Sequence, residues 1–254
     1  MMKVSVITAV FNSKQHIGDC IKSVVSQTYP DIEHIIIDGG STDGTVDIIK
    51  NYREGISRWI SEPDKGLYDA LNKGIRLATG DVIGFLHADD IYADASVIGK
   101  VAAAMSRSNA DSCYGDLLYV DKNNPERIIR YWKSRPYEKG MFGRGWMPPH
   151  PTFFVRKEIY ERYGSFNTDF RIASDYELML RFLEKEKIST WYIPEVLIKM
   201  RTGGASNRSL KNMVIKTTED YKAWRVNHLR KKFYTIPFKN LSKIPQFFVR
   251  RGVR

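Results

Sequence analysis

Two neighbouring carboxylates, Asp89 and Asp90, follow the apolar run of residues 82–86 and are the residues best placed for chemistry. Asn12 and Asp38 likewise follow apolar runs earlier in the chain. In an open α/β sheet, ligands bind beyond the carboxyl ends of the strands, so Asp38, Asp89 and Asp90 are expected to meet at one crevice. Adjacent acids there predict a hard divalent cation, Mg²⁺ or Mn²⁺, that bridges the protein to a phosphorylated ligand.

Three more residues, together with Asp38, could act at this crevice, and each of the four has a plain structural alternative. Asp175 precedes an amphipathic segment, where it could cap a helix or serve as a general base. His150, between two prolines, could contact an acceptor or be structural. His87 could contact the ligand or simply pack, and Asp38 could accept hydrogen bonds from a base or ribose or be an ordinary turn acid.

A third group is the polar segment of residues 201–207, which contains Arg201 and Ser206. Its cation, hydroxyls and backbone amides would suit a phosphate, although a surface turn would have the same composition. The chain has neither a Gly-x-Gly-x-x-Gly phosphate loop nor a Gly-Lys-Ser/Thr loop, which excludes a Rossmann or a Walker type of nucleotide site.

The elements that must position these residues alternate between strand and helix. Residues 3–10, 33–37 and 82–86 have the apolar, β-branched composition of buried strands, and residues 14–27 and 67–78 have helical spacing. This order predicts an α/β fold with a mostly parallel central sheet flanked by helices.

The second half of the chain is less regular. Residues 111–120 and 126–131 are expected to be antiparallel strands, and residues 174–183 a helix. Residues 139–149, which are rich in glycine and proline, predict a mobile loop that could close over a ligand and exclude water.

Length and composition narrow the class of protein. A chain of 254 residues fits one α/β domain with a possible appendage. Two cysteines cannot build a disulfide framework, which favours a reducing compartment. We find no secretory leader and no run of apolar residues long enough to span a bilayer, so a cytoplasmic location is expected.

The net charge of +11 is confined to the C-terminus. Residues 208–254 contain 13 Lys and Arg and two acids, which accounts for all of it and leaves a neutral body. Aromatic residues such as Trp224 and Phe238 are interleaved with these cations. The segment predicts a basic helical extension that suits an anionic membrane surface, and nucleic acid or plain solvation of a helix are the alternatives.

These motifs, in this order, resemble the family 2 inverting glycosyltransferases of the GT-A fold. The resemblance covers about residues 3–207, which would form the GT-A domain, with 208–254 as the extension. Its carriers are residues 4–12, 35–45, 61–74, 80–90, 150–156 and 174–181. Within the family, the chain looks like small bacterial enzymes that build surface polysaccharides such as O-antigen or exopolysaccharide.

The resemblance implies a nucleotide-sugar donor, in most cases a UDP-sugar, and a nucleotide site. Thr8 and Asp38 would hold the base, and Asp64 with its loop would complete the pocket. The residues implied to bind the nucleotide are Thr8, Val10, Asn12, Asp38, Asp64, Gly66, Asn72, His87, Ala88 and Asp89.

The resemblance also implies the chemistry. Asp89 would hold Mn²⁺ or Mg²⁺ on the diphosphate with Asp90 beside it, and Asp175 would deprotonate the acceptor hydroxyl in a single inverting displacement. At His87 the sequence departs from the family, which often has an acid opening an Asp-x-Asp motif there. His150, Arg201 and Ser206 are the candidates for contact with the acceptor or a phosphate.

The family further implies a lipid-linked or glycan acceptor at the inner face of the cell membrane, so a peripheral membrane location is expected. A processive synthase is excluded, because a Gln-x-x-Arg-Trp motif is absent. The remaining alternatives are a catalytically inactive sugar-binding relative and a sugar nucleotidyltransferase. A nucleic-acid-binding module is disfavoured, because the excess charge lies outside the carboxylate crevice.

Overall fold

The computed structural model describes residues 1–203, 210–230 and 234–241. Within these residues one sheet of nine strands is flanked by helices, and the strand order is β3-β2-β1-β4-β8-β6-β9-β5, with β7 paired to β6. The strands are β1 (Val4–Val10), β2 (Ile32–Asp38), β3 (Arg58–Ser61), β4 (Val82–Phe85), β5 (Ile91–Tyr92), β6 (Ser112–Val120), β7 (Ile128–Trp132), β8 (Phe154–Arg156) and β9 (Thr190–Arg201). The helices are α1 (Ile17–Val25), α2 (Thr45–Asn51), α3 (Leu67–Leu77), α4 (Val97–Ser108), α5 (Lys157–Tyr163), α6 (Ser174–Leu180), α7 (Leu210–Val226) and α8 (Thr235–Leu241).

The first half of the sheet is parallel, as the alternation of strands and helices predicts. β1 pairs with β2 on one side and β4 on the other, and β2 pairs with β3, in each case in parallel. All seven residues of β1 are buried, which explains why the strand is apolar on both faces rather than alternating. The carboxyl ends of β1, β2 and β4 therefore lie together at one edge.

The second half makes the sheet a mixed one. β8 pairs antiparallel with β4 and β6, β7 forms the predicted antiparallel pair with β6, and β9 returns parallel to β6. Gly84 in β4 faces the ring of Phe154 in β8 so closely that an added Cβ would clash with it. The missing side chain is what lets the two halves of the sheet join at this point.

Residues 139–149 are held rather than mobile, so the predicted lid is not supported. Phe142 is fully buried. The amide groups of Gly140 and Phe142 donate to the carboxylate of Glu184, at 3.0 Å and 3.3 Å, and Thr235 Oγ1 donates to the carbonyl oxygen of Gly143 at 2.8 Å. The segment is thus fixed between the turn after α6 and helix α8.

The described part of the basic extension packs on the domain. Trp224 of α7 is buried, and its Nε1 donates to the hydroxyl of Tyr176 in α6 at 2.8 Å. Lys239 Nζ of α8 lies 2.6 Å from Oδ1 of Asp220, and both side chains are buried. Trp224 is therefore a core residue, which corrects the expectation that it belongs to a surface-binding tail. Among the described residues, no helix has the length and hydropathy that crossing a bilayer requires.

Candidate active site

A cavity of about 780 Å³ opens at the carboxyl ends of β1 and β4. The segments that follow these two strands, the inner face of α6 and the end of β9 supply much of its lining. Eight of the residues singled out in the sequence line it: Asn12, His87, Ala88, Asp89, Asp90, His150, Asp175 and Arg201. The parallel pairing of β1 with β4 is what brings the first two segments to one edge.

Asp175 and His150 form a pair in this cavity. His150 Nδ1 lies 3.0 Å from Oδ2 of Asp175, and the hydroxyl of Tyr68 lies 3.4 Å from Oδ1. Asp175 is in the first turn of α6, and His150 opens a short 3₁₀ turn whose backbone is restricted by the prolines on either side. The arrangement orients one carboxylate toward the cavity, as a general base requires.

The charge state of Asp175 suits that role. Burial alone would raise the pKa of its carboxyl, but the charge of His150, with Lys239 and Lys216 farther away, holds the pKa below the ordinary value. The lowered pKa favours the ionised carboxylate that a general base requires. The side chain of Asp175 is still 21% exposed, so a hydroxyl that enters the cavity can reach it.

His87 stands next to this pair at the end of β4. Its ring centroid lies 5.7 Å from that of His150. Burial lowers the pKa of His87, although the charges of Asp89 and Asp175 oppose the change. The neutral imidazole offers one donor and one acceptor to a ligand, whereas the acid more usual at this position would offer negative charge.

The two neighbouring acids have different surroundings. Asp89 is partly exposed and lines the cavity. Asp90 is fully buried, its Oδ1 accepts from the backbone N–H of Arg201 at 3.1 Å, and its Oδ2 has no partner among the described residues. Burial, and then the charge of Asp89, raise the pKa of Asp90 well above the usual range. A buried carboxyl with a raised pKa is less suited to hold a cation than the partly exposed Asp89, and the metal-binding role of both residues stays a prediction.

The donor set at Asp89 limits how a divalent cation could be held. Within residues 1–203, 210–230 and 234–241, no three His, Cys, Asp or Glu side chains are grouped closely enough to bind a metal ion by themselves. Mg²⁺ commonly binds through one or two carboxylates together with phosphate oxygens and water. A single Asp89 carboxylate beside an open cavity fits that pattern, and it does not fit a site made entirely of protein ligands.

Arg201 supports the Asp89 segment from behind. It is 3% exposed, its Nη1 donates to the carbonyl oxygen of Asp89 at 2.9 Å, and its Nη2 lies 2.8 Å from Oδ2 of Asp19. These two contacts favour a positioning role for Arg201, whose Nε has no partner among the described residues, and the expected direct phosphate contact stays a prediction. Ser206, the other candidate in this segment, lies outside the described residues.

A second group of predicted residues lies beside the cavity, around Gly39. A Cβ added to Gly39 would meet Asp64 and would lie 3.4 Å from the ring of Phe11. Phe11 is 63% exposed and also lines the cavity, so it joins the two groups. Asn12 joins them as well, because its Oδ1 accepts from the backbone of Thr42 at 3.0 Å.

Asp38 shapes this second group from inside. Its Oδ2 accepts from the amides of Gly40 and Ser41, at 3.2 Å and 3.0 Å, and from Ser61 Oγ at 2.6 Å. The side chain is fully buried. In this conformation Asp38 holds the loop after β2 and does not present its carboxylate to solvent, so direct contact with a base stays a prediction.

Three other residues expected to bind the nucleotide have their side chains directed into the protein. Thr8 is fully buried with its Oγ1 3.2 Å from Nε2 of His34, and Val10 is 4% exposed. Asn72 is 7% exposed and pairs through both ends of its amide with the backbone of Phe166, at 2.8 Å and 2.9 Å. Side-chain contact with a nucleotide is therefore not supported for these three. Gly66, whose amide donates to Asp64 Oδ1 at 2.7 Å, is exposed and accessible.

Sequence reasoning missed several residues of the cavity. Lys14 and His16 follow β1, and Lys122, Arg171 and Asn212 come from three further segments. The first two could have been found from their position after a strand that already carries a candidate residue. The other three have no local signal, because distant loops and α7 bring them to the opening.

The comparisons with known proteins agree with one another. Residues 5–164 match the family described as Glycosyl transferase family 2. An uncharacterized glycosyltransferase of Mycobacterium tuberculosis is 36% identical over 180 residues, which is 70% of this chain and 68% of the relative. A PGL/p-HBAD biosynthesis glycosyltransferase of Mycobacterium bovis BCG is 29% identical over 208 residues, or 80% of this chain and 78% of the relative.

Solved structures share the fold at low sequence identity. Staphylococcus aureus TarS 1-349 in complex with UDP-GlcNAc aligns with a TM-score of 0.69 and 17% identity. The alignment covers 89% of this chain and 65% of the TarS chain. The mannosyltransferase PcManGT from Pyrobaculum calidifontis, in complex with GDP-Man and Mn²⁺, aligns with a TM-score of 0.62 and 17% identity, over 95% of this chain and 74% of that one.

Proposed function

This chain belongs to glycosyl transferase family 2 and has the GT-A fold, and we propose that it is an inverting enzyme that uses Asp175 as its base. The observation that carries the proposal is that Asp175, with His150 Nδ1 at 3.0 Å from its Oδ2, lines the same cavity as Asp89. In the proposed reaction the enzyme transfers a sugar from a nucleotide-sugar to a hydroxyl of a lipid-linked or glycan acceptor.

The group around Gly39 supports a place for the nucleotide base. Phe11 offers an exposed aromatic face, on which a base could stack. Asp64 and the Gly66 amide supply polar partners next to it. The complex of TarS with UDP-GlcNAc favours uracil as the base, so a UDP-sugar is the proposed donor.

From that position the diphosphate would run toward Asp89. Asp89 would hold Mn²⁺ or Mg²⁺ together with diphosphate oxygens and water, and the Mn²⁺ complex of PcManGT supports such a cation. When bound, the cation offsets the charge that develops on the departing nucleotide. Lys14 and His16, which line the same end of the cavity, would add positive or polar contacts.

The proton step belongs to Asp175. As the acceptor oxygen forms its bond to the anomeric carbon, the bond from that carbon to the diphosphate oxygen breaks, and the hydroxyl proton passes to Asp175. A single displacement from the opposite face inverts the anomeric centre. His150 keeps the carboxylate ionised and oriented before the transfer.

The proposal of a lipid-linked acceptor is supported by the exposed side chains of α7 near the cavity. Asn212 of α7 lines the cavity, and Met213 and Val214 beside it are 54% and 63% exposed. The outward face of α7 also carries Lys211 and Arg225. Exposed apolar and cationic side chains on one helix suit an anionic bilayer, where a lipid-linked acceptor would be met. We therefore propose a peripheral location at the inner face of the membrane, which is also what the family resemblance of the sequence implies.

A nucleotide-release screen tests this function. The purified protein would be given UDP-, GDP- and dTDP-sugars with Mn²⁺ or Mg²⁺, with and without a membrane lipid extract. Metal-dependent release from one donor, lost in Asp89→Ala and in Asp175→Asn, is expected. Binding of a nucleotide-sugar without release under every condition would instead favour an inactive sugar-binding relative.

A further inference from the structure

The buried carboxylate of Glu219, in α7, binds the loop that leads into α6 and therefore into Asp175. Glu219 Oε1 accepts from the backbone N–H of Arg171 at 2.7 Å, and Oε2 accepts from those of Ile172 and Ala173, at 2.9 Å and 2.8 Å. Glu219 is 9% exposed. Hydrogen bonds from amides to an ionised acceptor are stronger than neutral ones, and three on a single side chain fix the path of the loop.

The same loop is held from the other side by α3. The hydroxyl of Tyr68 donates to the carbonyl oxygen of Ile172 at 2.6 Å and lies 3.4 Å from Asp175 Oδ1. Residues 171–173 are thus clamped between Glu219 and Tyr68, and α6 begins directly after them. The position of Asp175 depends on this clamp, because Asp175 is the second residue of the helix.

Helix α7 and Asn227, the residue after it, also hold the residues that follow Asp175. Trp224 Nε1 donates to the hydroxyl of Tyr176 at 2.8 Å, and Asn227 Nδ2 donates to Oε1 of Glu177 at 3.0 Å. Contacts from the C-terminal region therefore lie on both sides of Asp175 in the chain. A tail that served only to contact a membrane would not need buried polar contacts of this kind.

We propose that Glu219 is a positioning residue, which acts through the loop 171–173 to hold Asp175 in the geometry needed to accept the acceptor's proton. The inference rests on the proposed role of Asp175 as the base. It assigns the described part of the extension to catalysis, although nothing in the sequence around Glu219 marks it as functional. A displacement of about 1 Å at a reacting group can cost on the order of 10²-fold in rate.

The pH profile separates positioning from simple electrostatics. The groups that face or act on Asp175 are His150, His87, Tyr68, Tyr119, Lys216 and Lys239, and the charge of Glu219 acts on Tyr68 beside it. Removing the negative charge of Glu219 would, by electrostatics alone, lower the pKa of Asp175. Loosening the loop would instead weaken the contact with His150, and burial would then raise that pKa. The two causes move the acidic limb of kcat in opposite directions.

The test compares Glu219→Gln with Glu33→Gln. Glu33 is a matched control, since it is also buried and accepts three hydrogen bonds, from Ser5 Oγ and from the N–H and hydroxyl of Thr79, outside the cavity lining. For Glu219→Gln we expect kcat to fall by about 10- to 100-fold with the donor KM nearly unchanged, and the acidic limb to move to higher pH. Hydrogen exchange should show faster exchange of the amides of residues 171–173.

The outcomes are distinguishable. An acidic limb that stays in place or moves to lower pH, or a kcat equal to that of Glu33→Gln, overturns the inference. If Asp175→Asn keeps its activity, the proposed base role fails, and the positioning role fails with it. Should Glu219→Gln not fold, Glu219→Asp keeps the charge but shortens the reach, and it must give the same upward shift of the limb.

Discussion

His150 Nδ1 lies 3.0 Å from Oδ2 of Asp175, although the two residues come from separate elements, a 3₁₀ turn and the first turn of α6. The pair joins two segments that the sequence presents as unrelated signals. It also opposes the effect of burial, which by itself would raise the pKa of Asp175. Several expected results depend on this pair and on the residues around it.

Replacing His150 should allow burial to raise the pKa of Asp175. In His150→Gln the charge of His150, which lowers the pKa of Asp175, is removed, so that pKa rises. The acidic limb of the profile of kcat against pH should therefore move to higher pH. We expect kcat near neutral pH to fall by about tenfold or more as the carboxylate loses its orientation. The measurement is kcat against pH, with His228→Asn as the control, because His228 has φ of 56°, which Asn tolerates. An unchanged acidic limb would contradict the pairing.

The two neighbouring acids should differ in their response to metal. Asp89→Asn removes the accessible carboxylate and is expected to raise the Mn²⁺ concentration for half-maximal activity by about tenfold or more. Asp90→Asn should leave that concentration nearly unchanged, because the Asp90 side chain is fully buried and its raised pKa disfavours the charged form that a cation binds. Titration of Mn²⁺ in the presence of UDP, followed by calorimetry, measures the same difference without turnover. Equal effects of the two substitutions would show that Asp90 is also a ligand.

Phe11 should contribute to nucleotide affinity. Stacking of a base on an aromatic side chain is worth about 1–3 kcal/mol, so Phe11→Ala should weaken UDP binding by about 5- to 150-fold. Trp191→Ala is the control, since Trp191 is a similarly exposed aromatic residue, 53% exposed, and does not line the cavity. Fluorescence or calorimetric titration with UDP gives both constants. Similar constants for the two variants would place the base elsewhere.

The buried ion pair of the C-terminal helices should dominate their stability. Lys239→Ala leaves the carboxylate of Asp220 buried without this partner, and breaking a buried pair costs about 3–5 kcal/mol of unfolding free energy. Asp47→Ala, which removes the solvent-exposed pair with Lys50, should cost less than about 1 kcal/mol. Urea denaturation of both variants tests the difference. A loss for Lys239→Ala no larger than that for Asp47→Ala would mean that α8 is not firmly packed.

The outward face of α7 should take part in membrane binding. Val214→Asp places an acid among exposed apolar and cationic side chains, and it should weaken binding to vesicles that contain anionic lipid by about fivefold or more. Val25→Asp on α1, where Val25 is 51% exposed, is the matched control. Deletion of residues 242–254, which leaves α8 in place, measures what the rest of the basic extension adds. Binding is measured by sedimentation with anionic and neutral vesicles. Equal binding of Val214→Asp and Val25→Asp to the anionic vesicles would contradict the proposal.

The local elements of the first half of the fold could be predicted because their causes are local. β1 and β4 are continuous apolar runs that end in polar residues, and α3 has an apolar stripe at helical spacing. A parallel sheet follows from their alternation, and it brings the polar ends of the strands to one edge. Asp89 and Asp90 line one cavity, as expected, whereas Asp38, which was expected at the same crevice, does not line it.

The use of each polar side chain could not be predicted in the same way. Thr8 and Asn72 carry motif positions, yet the structure uses their polar atoms for contacts inside the protein. The difference between Asp89 and Asp90 arises from burial, which residue type does not report. Loop 139–149 has a flexible composition, yet contacts from Glu184 and α8 fix it.

By itself, the sequence determined the α/β order of the first half, the strand ends that carry the candidate ligands, and the carboxylate proposed as base. These follow from hydrophobic periodicity and from motifs, which need only neighbours in the chain. The tertiary structure decided that His150 and Tyr68 meet Asp175, that Asp90 is buried while Asp89 is not, and that Glu219 binds the loop before α6. Those relationships join residues far apart in the chain, and charge and desolvation at each of them depend on what the fold packs around it.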